Sequence, residues 1–205
     1  MKFTKSESNQ MINLEQNSEA WHKHRSNYIN ASEVAAIMGL NPFETKQALF
    51  KRKLFKEKIE DNNAMRHGRR LEPEARNFFN EVNNMEFVPA VFIKDFMSAS
   101  LDGWHQESNS ILEIKCPISY NSPSWSNFLL NNEIPMYYYA QVQAQLFCSD
   151  TEKAFFLVYQ TFQSRSKVKE IHRDPKFIEE MYQKAHFFYN LLKEAKETLD
   201  KLKEK

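Results

Sequence analysis

Hydrophobic and polar positions divide the chain into a helical first part, a strand-rich middle and a helical end. Residues 1–16 are polar and unpatterned, which predicts a frayed leader or short arm before a single domain over 17–205. Ser18 is placed to cap a short helix through Trp21 to Arg25. Asn30 or Ser32 is placed to cap a second through Val34, Ile37 and Met38, which Gly39 ends. Residues 45–55 predict a third helix, with Ala48, Leu49 and Phe55 apolar and Lys51, Arg52 and Lys53 polar. Residues 63–82 predict a longer one carrying Leu71, Ala75, Phe78, Phe79 and Val82, with Pro73 marking a kink or a break. The texture then changes: 87–93, 97–101 and 111–116 are short runs bounded by turn residues, as strands are. A helix follows over 135–147, then a strand pair over 154–162 and 168–172, and a long helix over 175–203. In that last helix Ile178, Met181, Ala185, Phe188, Leu192, Ala195, Leu199 and Leu202 recur at steps of three and four, a heptad seam. Such a seam packs on its own domain or, past residue 195, on another subunit. The class is mixed α/β, with a central mixed sheet flanked by helices.

Composition narrows the picture little. At 205 residues, with 41% hydrophobic and 14% aromatic positions, the chain is long and apolar enough for a real core. No apolar run approaches the roughly 20 residues of a membrane span, and Met1-Lys2-Phe3-Thr4-Lys5 opens no apolar signal segment. Cys116 and Cys148 form neither a metal spacing nor a disulfide framework, so an intracellular protein is expected. A net charge of +1 supplies little overall attraction to a polyanion, so any grip on nucleic acid must come from locally gathered Lys and Arg. The six histidines are scattered without zinc spacing and read as bystanders, His67 and His105 included. The three glycines, Gly39, Gly68 and Gly103, each fall beside a motif.

Candidate chemistry concentrates on the strand around residue 113. Alternation puts Leu112, Ile114 and Cys116 on one face and Glu113 and Lys115 on the other, and Pro117 ends the ladder. Asp102-Gly103 upstream reads as a strand end from which a hairpin returns the chain alongside Glu113. Asp102 and Glu113, with the Ile114 carbonyl, form a hard oxygen set suited to Mg²⁺. Lys115 beside it would orient a nucleophile and balance developing negative charge, as phosphodiester hydrolysis requires. Taken alone, a Glu-x-Lys is more often a solvent-facing ion pair and Asp-Gly an ordinary turn. Glu72 lies one helical turn after Gly68, which would let the helix approach another backbone. The plain alternative is a solvated helix face among Arg66, Arg69, Arg70 and Arg76. Arg25 and Ser32 flank a turn into a capped helix, whose free N–H groups and guanidinium suit a phosphate. Otherwise Ser32 only caps and Arg25 only pairs at the surface. Tyr138 and Gln141, with Gln145 a turn on, share one helix face, in a site or in interior packing.

The sequence Asp102…Glu113-Ile114-Lys115 resembles the core of the PD-(D/E)xK nucleases. More narrowly, the chain resembles the phage lambda exonuclease and YqaJ-type viral recombinase family. Supporting stretches are Trp21-His22-Lys23-His24-Arg25 with Ala31-Ser32-Glu33-Val34; Gly68-Arg69-Arg70-Leu71-Glu72; Ser100-Leu101-Asp102-Gly103; and Tyr138-Tyr139-Ala140-Gln141-Val142-Gln143. Together they cover roughly residues 20–160. The resemblance implies a restriction-endonuclease-like fold and a 5′→3′ double-strand DNA exonuclease of viral or prophage recombination, leaving 3′ single-stranded tails in a bacterial cytoplasm. It implies two Mg²⁺ ions, replaceable by Mn²⁺, with Glu72 joining Asp102, Glu113 and Ile114 near them. It also implies Tyr138 and Gln141 beside the scissile phosphate and Arg25 and Ser32 as the 5′-phosphate pocket. DNA ends, a closed homotrimer around duplex and a single-strand annealing protein are the implied partners. Two rival readings are an endonuclease on the same fold, which the Arg25/Ser32 pocket disfavours, and an inactive DNA-binding module. Intact Asp102, Glu113 and Lys115 argue against the second.

Overall fold

Alternation in the middle of the chain folds into one sheet, which we describe from a computed structural model over residues 8–161 and 166–203. Its strands are β1 (Gln10–Ile12), β2 (Ile29–Asn30), β3 (Val88–Lys94), β4 (Met97–His105), β5 (Ser110–Lys115), β6 (Lys153–Val158) and β7 (Lys167–His172). The order is β1-β3-β4-β5-β6-β7, with β2 pairing β4 off that path. β5 and β6 run parallel while β3/β4, β4/β5 and β6/β7 are antiparallel. A parallel pair needs a crossover, supplied here by α5 (Pro123–Asn131) and α6 (Met136–Ser149). The other helices are α1 (Glu19–Asn27), α2 (Val34–Met38), α3 (Lys46–Phe55), α4 (Asn63–Asn83) and α7 (Pro175–Lys203), with a 3-10 turn at Ala31–Glu33. Both faces of the sheet are covered. The larger core joins Leu101, Ile111, Phe156 and Val158 to α2, α6 and α7. The smaller packs Ala75 and Phe79 of α4 on Phe87, Leu112, Ile114, Leu157 and Tyr159. This is the mixed α/β architecture that the pattern predicts.

The expected caps at Ser18 and Gly39 form, whereas α2 starts after Glu33 with no side-chain cap, and Asn30 starts the 3-10 turn before it. Ser18, Thr45 and Asn62 each accept a backbone N–H at a helix start, a contact worth about 1 kcal/mol. Gly39 closes α2 with φ of 76°, a left-handed conformation that other residues adopt at a cost.

Several boundaries differ from expectation. Residues 10–12 are not leader but edge strand β1, pairing Met11 with Phe92; three residues are too few to leave a periodic signal. Residues 1–7 lie outside the described part. Pro73 does not break α4, which runs unbroken for 21 residues. Pro73 and Arg69 both face solvent, so the carbonyl freed by the missing N–H is left to water. β4 does not end at Asp102-Gly103 but continues to His105, and the hairpin turn lies at 106–109, where the Asn109 N–H donates to the Gln106 carbonyl (3.1 Å). α5 has no counterpart among the expected elements, because its Ser, Pro and Asn content hides Phe128, which is buried. The strand expected to reach Phe162 ends at Val158, and Phe162 itself lies outside the described residues. In α7 the seam from Ile178 to Leu192 is consumed by the chain's own core, whereas Leu202 is 63% exposed. Among the described residues no helix is long and apolar enough to cross a membrane.

Candidate active site

The site forms where β4 and β5 part. Their pairing runs from His105↔Ser110 to Gly103↔Leu112 and stops there. Gly103 makes the last pair tight: a Cβ on it would stand 2.8 Å from Phe87 Cβ and 3.0 Å from Leu112 Cβ, so only glycine brings the strands this close. One residue beyond, the Asp102 carboxylate accepts the Ile114 N–H at 2.8 Å, in place of a ladder carbonyl. Beside it Glu113 is 2% exposed, held from two directions. Its Oε1 accepts from Lys115 Nζ (2.5 Å) and Gln141 Nε2 (2.8 Å), and its Oε2 from Gln145 Nε2 (2.6 Å). Lys115 Nζ also lies 4.5 Å from the centre of the Tyr138 ring, which stacks on Trp125. Asp102, Glu113, Lys115, Tyr138 and Gln141 are thus gathered as expected.

Glu72 reaches this group through Arg76, whose guanidinium donates to Glu72 Oε1 (3.1 Å) and to the Asp102 carbonyl (2.5 Å). The plain alternative of a solvated face, which included Arg76, thus fails at this residue. Its four-residue spacing from Glu72 was the available signal. Arg66 and Arg69 do belong to such a face, pairing with Asp61. Gly68 does not serve a close approach: nothing lies within 4 Å of a Cβ built there. His105 turns to Ser108 Oγ (2.8 Å) rather than to Asp102.

The electrostatics set the carboxylates against one another. Burial, then the charges of Glu113 and Glu72, hold the Asp102 pKa well above the carboxylate range. Burial also raises Glu72, with Arg76 opposing. Burial disfavours the charge of Lys115, but Glu113, Tyr138 and Asp102 outweigh it and raise its pKa. Asp102 and Glu113 with the Ile114 carbonyl are hard oxygen donors, and a divalent cation would relieve their repulsion. That donor set fits Mg²⁺. Among the described residues no three His, Cys, Asp or Glu side chains are grouped so as to hold a metal ion between them.

The second predicted site also assembles. Arg25 donates to Ser32 Oγ at 3.0 Å and stacks 4.5 Å from the Trp21 ring centre. Beneath it is a buried ion pair the sequence reading passed over. Lys53 Nζ donates to Glu33 Oε2 (2.9 Å) and to the Tyr28 carbonyl (2.8 Å), and Glu33 accepts the Asn30 N–H (2.9 Å). Burial alone would raise the Glu33 pKa, but Lys53, Arg25 and the Asn30 N–H hold it below its ordinary value. Ser100 touches both regions, its hydroxyl accepting from Trp21 Nε1 (2.8 Å) and its carbonyl from Gln145 Nε2 (3.3 Å).

A sheet covered on both faces, with Asp and Glu-x-Lys at the parting of two strands, is the arrangement that the resemblance to the PD-(D/E)xK nucleases implies. The chain belongs to the YqaJ-like viral recombinase domain family, which it matches over residues 20–152. Among solved structures it is similar to an alkaline exonuclease, LHK-Exo, from Laribacter hongkongensis. The TM-score is 0.75 at 23% identity, over 90% of this chain and 97% of that one. LHK-Exo in complex with dAMP gives 0.76 at 22%, with the same coverage of 90% and 97%. A phage related exonuclease from Haemophilus somnus 129PT gives 0.65 at 16%, over 84% of this chain and 98% of that one. At these identities the likeness speaks for the fold. No curated protein matches the chain in sequence.

Proposed function

We propose that the protein is a Mg²⁺-dependent 5′→3′ exonuclease of double-stranded DNA, acting in viral or prophage recombination in a bacterial cytoplasm. The observation that carries this reading is the meeting of Asp102, Glu113 and Lys115 where β4 and β5 part, with the Asp102 pKa raised by burial and then by its acidic neighbours. Asp102, Glu113 and the Ile114 carbonyl would hold the metal, with Glu72 serving a second ion and Mn²⁺ able to replace either. When bound, the metal polarises the phosphate and acidifies water.

The chain's own residues do the rest. Gln141 fixes the direction of Glu113. The Tyr138 ring supports the Lys115 ammonium, which orients the attacking water and balances charge on the phosphate. Arg25, already directed at the Ser32 hydroxyl, would clamp a 5′-terminal phosphate and set the direction of digestion. Products would be mononucleotides and 3′ single-stranded tails suited to an annealing protein. With a net charge of +1, a closed trimer around the duplex would retain DNA by topology rather than by charge. Light scattering across a tenfold dilution reads that state, and a steady mass near one 24.4 kDa chain would rule the ring out.

The activity is tested by incubating linear and closed circular duplex with Mg²⁺ or with EDTA. Loss of linear DNA alone, and only with Mg²⁺, is the expected result. Cutting of circles would indicate an endonuclease, and no cutting a binding module.

A further inference from the structure

α6 carries glutamines at 141, 143 and 145, and their amides are used in different ways. Gln143 points away from the cleft and is satisfied at both ends: its Nε2 donates to the His172 carbonyl (2.8 Å) and its Oε1 accepts the Asp174 N–H (2.9 Å). That is a structural amide. Gln141 and Gln145, one helical turn apart on the other face, both donate to Glu113, one to each carboxylate oxygen.

Gln145 is the unusual one. It is 1% exposed, and its Oε1 is the only buried side-chain polar atom among the described residues that lacks a hydrogen-bond partner. Turning the amide over would not repair this. Both groups facing Nε2, the Ser100 carbonyl and Glu113 Oε2, are acceptors, so they require the NH₂ end. A buried carbonyl without a partner costs about 1–3 kcal/mol. A leucine or methionine there would avoid that cost, yet the chain keeps an amide whose one satisfied end grips a carboxylate.

We infer that Gln145 is a positioning residue for the metal site: it ties back Oε2 of Glu113 so that Oε1, beside Lys115 and Gln141, is the oxygen presented to the cation. The inference rests on reading Asp102 and Glu113 as metal ligands. Gln145 touches neither metal nor DNA and acts only through Glu113. Its Ser100 contact fixes the amide to β4 two residues before Asp102, so both carboxylates are referenced to one strand.

The test is a Mg²⁺ titration of the whole protein, read as the rise in melting temperature, with Gln145→Leu and Gln145→Met beside the unmutated chain. Removal of a group that orients a metal ligand costs about 10–100-fold in metal affinity or activity. Both variants should therefore need about 10–100 times more Mg²⁺ for the half-maximal shift, and for half-maximal cleavage. In EDTA the relief of the orphan carbonyl is set against Glu113 Oε2 left without its donor, so the Mg²⁺ dependence, and not the metal-free melting temperature, reads the role. Mg²⁺ titrations that superimpose on the unmutated curve would overturn the inference. So would a fall in melting temperature of the same size in EDTA and in saturating Mg²⁺ with no change in the Mg²⁺ midpoint, which would make Gln145 a packing residue. If the unmutated protein itself shows no Mg²⁺-dependent shift, the metal reading fails first and takes this inference with it.

Discussion

Two acidic groups in this molecule, Glu33 buried and Asp102 half-buried, meet opposite fates. Glu33, under the Arg25 corner, faces Lys53 and Arg25 and takes the Asn30 N–H, and its pKa falls. Asp102, in the cleft, receives the Ile114 N–H but faces Glu113 and Glu72, and its pKa is well raised. The first is a completed arrangement in which the fold satisfies the charge it buries. The second is left in tension by the fold, and such tension marks sites that await a cation or a proton. Ser100, bonded to Trp21 on one side and Gln145 on the other, ties the two arrangements to one strand.

The sharpest way to break the comparison is to neutralise each acid. Glu113→Gln and Asp102→Asn should reduce cleavage by at least about 10²–10³-fold, the scale on which aimed electrostatic groups act, and Lys115→Ala should match them. The fold should survive all three, and Asp102→Asn should melt no lower in EDTA. Full turnover by purified Glu113→Gln would remove Glu113 from the proposed metal site.

Glu33 should behave in reverse, with a large effect on stability. Removing one partner of a buried ion pair leaves the other unpaired, a loss of about 3–5 kcal/mol. Lys53→Met or Glu33→Gln should show it in urea denaturation, and the double change Glu33→Met with Lys53→Met should recover most of it. Near-unchanged midpoints for the single variants would mean that the corner is not braced by this pair.

A smaller effect separates the corner's surface from its foundation. Arg25→Ala should cost less stability than either single change to the Glu33–Lys53 pair but erase a preference for 5′-phosphorylated over 5′-hydroxyl ends. A hydrogen bond to a charged group is worth about 1.5–3 kcal/mol, so that preference should be roughly 10–100-fold. Equal rates on matched duplexes for the unmutated protein would take Arg25 and Ser32 out of the pocket.

The smallest effect is the pH response without metal. Asp102, raised, keeps its proton in the folded chain where the unfolded chain has released it. It therefore lowers stability as pH rises from the ordinary carboxylate range through its folded pKa. Glu33, lowered, contributes stability above its ordinary pKa and loses it as pH falls through its folded value. In EDTA, Asp102→Asn should thus stabilise the protein at about pH 8 and lose that gain by about pH 4. A gain independent of pH would mean that Asp102 is not held against its neighbours.

These regions were not equally legible in the sequence. Asp102, Glu113 and Lys115 were readable because alternation assigns strand faces and two acids with a lysine on an apolar strand are conspicuous. Capping residues were readable because each acts within a few positions of its own helix. What escaped depends on contacts between elements. Lys53 meets Glu33 across 20 positions, and Gln145 meets Glu113 across 32, so neither leaves a local pattern. Arg76 was in view only as part of the alternative solvated face, because a helix with four arginines gives no sign of which one turns inward. β1 and α5 were missed for a plainer reason: one is too short and the other too polar for periodicity to register.

The central claim is that the cleft hydrolyses DNA from 5′ ends. It is tested most directly by digesting a linear 5′-phosphorylated duplex with Mg²⁺ while following a label at the 5′ end of one strand and, in a second sample, at its 3′ end. The expected result is immediate release of the 5′ label as a mononucleotide, with the 3′ label retained on a shortening strand until late. Release of the 3′ label first, or labelled fragments from internal cuts, would contradict it.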